Sequence, residues 1–318
     1  MDPLGGARAV AGADGTGGVD WPAARKAARS LTRPGDLDLD TAAREAYAAD
    51  IRDARTEIQA EAGVEFDLPP TVEVQNRRHW TDATLSTLES AFEPFANEAG
   101  RFPALTVPLN TASIAGSVAY LSRRVMGQYD PRLFDENRSH GLYIVHPNVV
   151  SGATELGVDP GRFRRWIAFH EVAHAAEFGM APWLRDYLAE RVLAVISTLS
   201  TGSIPRREYG ELNRAMTAVE GYAELLMDAA FDDETADLRR KLDERRSGGG
   251  PLSKLIARVL GLDIKRAQYE RGSAFFEAIV AERGLQAAGH VWTDPTRLPR
   301  EAELESPERW LERVPPGA

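Results

Sequence analysis

Apolar residues return at helical spacing along most of this chain, and the exceptions are short. Over residues 21–62, Ala, Leu, Tyr and Ile recur every three or four positions among charged residues. Pro34-Gly35-Asp36 interrupts the run, which therefore reads as two helices, the second over 39–62. Helical character returns over 76–98, with Trp80, Leu85, Leu88, Phe92 and Phe95 as core positions. Residues 108–126 are apolar and rich in small side chains, the composition of a buried helix, and turn chemistry at 127–131 is expected to stop it. Gly141-Leu-Tyr-Ile-Val-His-Pro147 is the clearest strand candidate, and Pro147 should end the sheet there or mark an edge. Asp159-Pro160 has the form of an N-cap followed by a first-turn proline, and Gly179 that of a C-cap, which predicts a helix between them. Further helices are expected over 183–200 and 208–230, with two more segments within 252–284 and Trp310 anchoring the tail. The fold class is mainly α, with minor β content of one or two short strands.

Other stretches lack this pattern. Residues 1–18 are rich in Gly and Ala and read as a flexible N-terminal segment, leaving 19–318 as a single domain with a helical part at 19–140 and a second part at 141–318. Residues 232–246 are densely charged, as a solvated helix face is, and 247–251 read as a turn.

Composition narrows the function. A net charge of −10 disfavours nucleic acid and anionic membrane as partners. The absence of Cys excludes disulfides, thiolate metal sites and a cysteine nucleophile. No apolar h-region opens the chain and no run of 18 or more apolar residues occurs, so the expected location is cytoplasmic, without a membrane span.

The chemistry concentrates in His170-Glu171-Val172-Ala173-His174. Histidines four apart project from one helix face and can donate two nitrogens to one metal, while the adjacent glutamate reaches a water at that metal. Two ordinary histidines on an amphipathic helix give the same spacing, and chance alone supplies the pattern in roughly one chain of this length in a hundred. The apolar neighbours Trp166, Ile167, Phe169 and Val172 tip the balance, because buried polar groups there need partners. Catalytic zinc takes three protein ligands and keeps one position for water. The metzincin extension fails, with Glu177 where it needs glycine and Met180 where it needs histidine. A glutamate from a later helix fits better. Glu220 is the leading third ligand, with Glu224 and Glu177 as substitutes, and Glu224 or Asp228 could orient a ligating histidine. With Zn2+ bound, Glu171 would act as general base in hydrolysis of a peptide or small amide substrate. Tyr269 leads the residues that could stabilise the oxyanion, ahead of Tyr222, His146 and Arg124.

Several ordered stretches carry a family resemblance: Ser122-Arg-Arg-Val-Met-Gly-Gln-Tyr-Asp130, Leu142-Tyr-Ile-Val-His-Pro-Asn148, Glu155-Leu-Gly-Val-Asp-Pro160, Trp183-Leu-Arg-Asp-Tyr-Leu188, Glu220-Gly-Tyr-Ala-Glu224, Met227-Asp228, and Leu260 to Lys265 into Gln268-Tyr269. From about residue 75 onward the chain resembles a mostly actinobacterial group of zincin-like, zinc-dependent metalloproteases and hydrolases of gluzincin type. One branch of that group is associated with biosynthesis of a deazaflavin coenzyme. The resemblance implies a zincin-like helical metallopeptidase fold, with His170 and His174 as metal ligands, Glu171 catalytic and Glu220 as third ligand. Glu220 follows His174 by 46 positions, further than in compact gluzincins, and an inserted helix over 183–200 would account for the excess. Two rival readings are a zincin fold that holds metal without turnover and an amidase-like enzyme of cofactor metabolism.

Overall fold

The computed structural model describes residues 2–14, 18–95, 106–135, 140–200, 205–231, 238, 241 and 262–316, the side chains of 3, 106, 199–200 and 262–269 excepted. Most of the charged run at 232–246, the turn at 247–251 and residues 252–261 lie outside this set. The fold is mainly α-helical with minor β content, and no described helix is long and apolar enough to cross a membrane. The chain divides into two compact units. One comprises Met1–Leu39, Thr71–Gly152 and Val192–Pro205, the other Asp40–Pro70, Ala153–Arg191 and Arg206–Ala318.

In the first unit, the segment read as a flexible lead-in contains a helix, α1 (Pro3–Ala11). Asp2 caps it by accepting the Gly5 N–H at 2.9 Å, and α1 packs on α2 (Trp21–Leu31). The adjacent Gly5 and Gly6 are poor helix formers and argued against a helix here, whereas an Asp cap with proline in the first turn starts one. Asp20 caps α2 in the same way, through the Ala23 N–H at 2.9 Å. Small residues on one face of α2 (Ala24, Ala27 and Ala28) form a buried cluster with Trp80 and Leu85 of α4 (Arg77–Phe92) and with Ala115 and Val118 of α5 (Thr106–Leu121).

Among the described residues the sheet has three strands in the order β1 (Val72–Gln75), β3 (Gly141–Val145), β2 (Gly127–Asp130). The central strand β3 pairs parallel to β1 and antiparallel to β2, and all five of its residues are buried, which explains its unbroken apolar run. The stretch at 127–130, expected to be a turn, is instead a strand: its Gly and Asp sit at the two ends of the pairing, opposite Ile144 and Gly141. Pro147 does end the sheet, since α6 begins at His146 (His146–Leu156) and takes the proline into its first turn.

The second unit is helical. It contains α3 (Thr41–Ala62), α7 (Pro160–Met180), α9 (Arg206–Ala230) and α10 (Leu262–Arg283), then α11 (Leu285–Ala288), α12 (Glu301–Glu305) and α13 (Pro307–Arg313). α8 (Leu184–Ser200) lies between α7 and α9 in sequence, where an inserted helix was expected. Asp159 caps α7 by accepting the Arg162 N–H at 2.7 Å. The helix runs one residue past Gly179 to Met180, so that glycine is not its cap. A Cβ at Gly179 would lie 2.6 Å from Phe66 Cβ, and close packing explains the missing side chain. α3 lies against α7, where Arg164 Nε donates to Asp50 Oδ2 at 2.5 Å. Tyr222, Phe275, Phe276, Trp292 and Trp310 form an edge-to-face aromatic core. Trp310 anchors the tail, fully buried and donating its indole N–H to the Arg297 carbonyl at 2.7 Å.

α9 and α10 meet at glycine against glycine. A Cβ on Gly272 would lie 2.8 Å from Gly221 Cα and closer still to the Thr217 carbonyl. Backbone cannot rotate away, so the helices would have to separate. Gly272→Ala is therefore expected to destabilise the protein by about 2 kcal/mol, overpacking outweighing the gain in helix propensity. Gly116→Ala, in α5 with nothing within 4 Å of the added Cβ, should stabilise by up to about 1 kcal/mol. Urea denaturation midpoints of the two variants check the opposite signs, and a Gly272→Ala midpoint at or above wild type would refute the packing argument.

Candidate metal centre

Burial along α7 runs through Phe163, Trp166–Phe169, Glu171–Ala173 and Ala175–Glu177, so the helix is enclosed on most of its circumference. His170 and His174 share the remaining, half-buried face. Their ring centroids are 4.7 Å apart with planes at 76°, as one helical turn requires. Trp166 stacks nearly parallel on His170 at 6.0 Å, and Phe163 stacks on Trp166 at 6.3 Å. This aromatic column limits how far the His170 ring can turn.

Glu220 reaches the same place from α9, a helix whose face from Ala215 to Met227 is almost wholly buried. One ligand atom from each of His170, His174 and Glu220 lies within 4.8 Å of the other two. His174 Nε2 is 4.0 Å from Glu220 Oε2. Bonds of 2.0–2.2 Å at a tetrahedral angle set ligand atoms about 3.4 Å apart, so small side-chain rotations close the cluster on a zinc-sized ion. The donor set, two imidazoles and a carboxylate, is one that zinc takes with a fourth position left for water. The three residues fit the metal that the sequence motif implies.

The surroundings are acidic. Glu171, Glu177 and Glu220 are 5%, 0% and 4% exposed. Burial favours neutral His174, but hydrogen bonding to Glu177 and the charges of Glu177, Glu220 and Glu171 outweigh it and raise its pKa to about 9. Burial likewise pushes the Glu177 carboxyl up, against the pull of His174. Both shifts have the direction expected where buried negative charge exceeds positive, and a divalent cation is the species that would balance it.

One carboxylate meets a ring nitrogen of His174 from within α7 itself. His174 Nδ1 is hydrogen-bonded to Glu177 Oε2 at 2.8 Å, whereas Asp228 is exposed and Glu224 only half-buried on α9. Glu177 stood in the sequence as a substitute third ligand, and only its depth and the ring nitrogen it meets separate the two roles. A neighbour of His170 that the sequence did not mark as such is Met227, whose sulfur lies 3.4 Å from Nδ1. Helical spacing marked Met227 merely as an apolar residue.

Of the oxyanion donors considered, Tyr222 is core: it is packed against Phe276 and Trp292, its hydroxyl donates to the Met180 sulfur at 3.8 Å, and burial raises its pKa. His146 and Arg124 belong to the first unit. Tyr269 lies on α10, with its side chain outside the described set.

The family described as zincin-like metallopeptidase matches residues 19–208 and 205–311. A crystal structure from Chloroflexus aurantiacus, described as a putative hydrolase with a novel fold, is similar with a TM-score of 0.76 and 31% identity, covering 93% of this chain and 98% of that one. No curated protein matches. With a match spanning nearly the whole chain and a His-His-Glu cluster able to hold a metal, the protein belongs to the zincin-like metallopeptidase family.

Proposed function

We propose that this protein is a zinc-dependent hydrolase acting on a peptide or other amide bond, with His170, His174 and Glu220 as ligands and Glu171 as general base. The observation that carries the reading is the convergence of those three ligand atoms within 4.8 Å, in a chain of this family, beside a buried glutamate that none of them needs as a ligand. When bound, zinc supplies Lewis acidity, lowering the pKa of water from about 15.7 toward roughly 7 and polarising a carbonyl.

The protein's own groups do the rest. His170 and His174 hold their rings one turn apart on a helix enclosed on its other faces, which restricts reorganisation during reaction. Glu171 takes the proton from the attacking water and returns it to the leaving amine, so the reaction closes with no net proton change. Its near-complete burial shields it from bulk water, and that strengthens its interaction with a developing charge. Tyr269 is the proposed donor to the oxyanion, on the helix that packs against the one carrying Glu220. A fold that merely stores metal has no chemical use for Glu171, which favours turnover over a silent scaffold.

The purified chain is expected to hold about one equivalent of zinc, and His170→Ala or His174→Ala to lose it. Elemental analysis decides this, and full metal content in both variants would rule the site out. Glu171→Gln should keep its zinc and lower kcat toward a fluorogenic peptide library by about 10²–10⁴-fold. Undiminished turnover would remove Glu171 from the mechanism. Zinc bound by the wild type without hydrolysis of any peptide or amide would favour the silent scaffold.

A further inference from the structure

The two histidines of the metal centre are held from behind by unlike groups. His174 Nδ1 meets a carboxylate oxygen of Glu177 at 2.8 Å, and His170 Nδ1 meets the Met227 sulfur at 3.4 Å. A carboxylate is a strong, charged acceptor, while a thioether is a weak and neutral one. We infer that Glu177 is the positioning residue of the site: its carboxylate fixes His174 with the proton on Nδ1 and presents Nε2 to the metal. The inference rests on the metal reading above and goes beyond it, assigning a role to a residue outside the ligand set.

Three observations support it. Glu177 is fully buried, and a carboxylate held there at a cost of several kcal/mol needs a specific partner. Its position three residues after His174 sets it on the same side of α7, so the backbone itself aims the carboxylate at the ring. The geometry also separates orientation from ligation. Nδ1 and Nε2 point away from each other across the imidazole, so an oxygen bonded at Nδ1 cannot share a metal bound at Nε2. Glu220 is on the Nε2 side, at 4.0 Å. One side chain therefore sets the tautomer of the ring it meets.

Co2+ substituted for zinc in the full-length chain gives a readout independent of catalysis. Glu177→Gln keeps an oxygen acceptor but removes the charge. It should fold with a melting temperature near that of wild type without metal, bind Co2+ about 10–100-fold more weakly by chelator competition, and show shifted visible absorption bands. Unchanged affinity and spectrum in Glu177→Gln would overturn the inference and leave the metal site standing. Failure of the wild type to bind Co2+ would overturn both. Since Glu177 is fully buried and its substitution could prevent folding, 15N-histidine NMR of the zinc-loaded wild type is the second measurement. It should show His174 protonated at Nδ1 and ligated through Nε2, and ligation through Nδ1 would reject the role of Glu177.

Discussion

Buried negative charge is the constraint around which the second unit is organised. Three glutamates lie almost wholly out of solvent beside two half-buried imidazoles. Each ionised carboxylate removed from water costs several kcal/mol unless it is paired or coordinated. His174 compensates part of that charge through Glu177, and its own pKa rises in consequence. A protein folding for stability alone would have filled these positions with Leu or Met. Their retention on α7 and α9 is understandable if a cation completes the balance.

That arrangement depends on how closely the helices approach. Gly221 follows Glu220 directly and faces Gly272 across the contact between α9 and α10. The absent side chains let α10 press on α9 from one side while α7 packs on another. The carboxylate of Glu220 is thus delivered by backbone packing more than by its own flexible stem. On the α7 side, Phe163 and Trp166 stack in a column that ends on His170. Positioning comes from rigid elements, and the polar groups add direction.

Much of this was legible in the residues. The Asp159 cap, the first-turn proline and the histidine spacing located α7 and its reactive face, and an apolar context around Glu220 singled it out from other acids. These signals are local, set by one or two helical turns. What escaped depends on contacts between distant segments. Gly179 looked like a helix terminator because sequence cannot show Phe66 lying against it. Residues 127–130 looked like a turn because their strand exists only through pairing with β3. Glu177 could be seen as important but not in which capacity, since ligand and orienting group are both carboxylates at helical spacing. α1 was overlooked for a different reason, its adjacent glycines arguing locally against a helix.

The discontinuous make-up of the second unit bears on its biogenesis. α3 ends at Ala62, yet α7, the helix it packs against, starts only at Pro160. At elongation rates of about 5–20 residues per second, α3 leaves the ribosome on the order of 5–20 s before its partner is synthesised. During that interval Tyr47, Ile51 and Ile58, buried in the finished protein, have no native surface to cover them. The contact of α3 with α7 must therefore wait until the long intervening segment has been made.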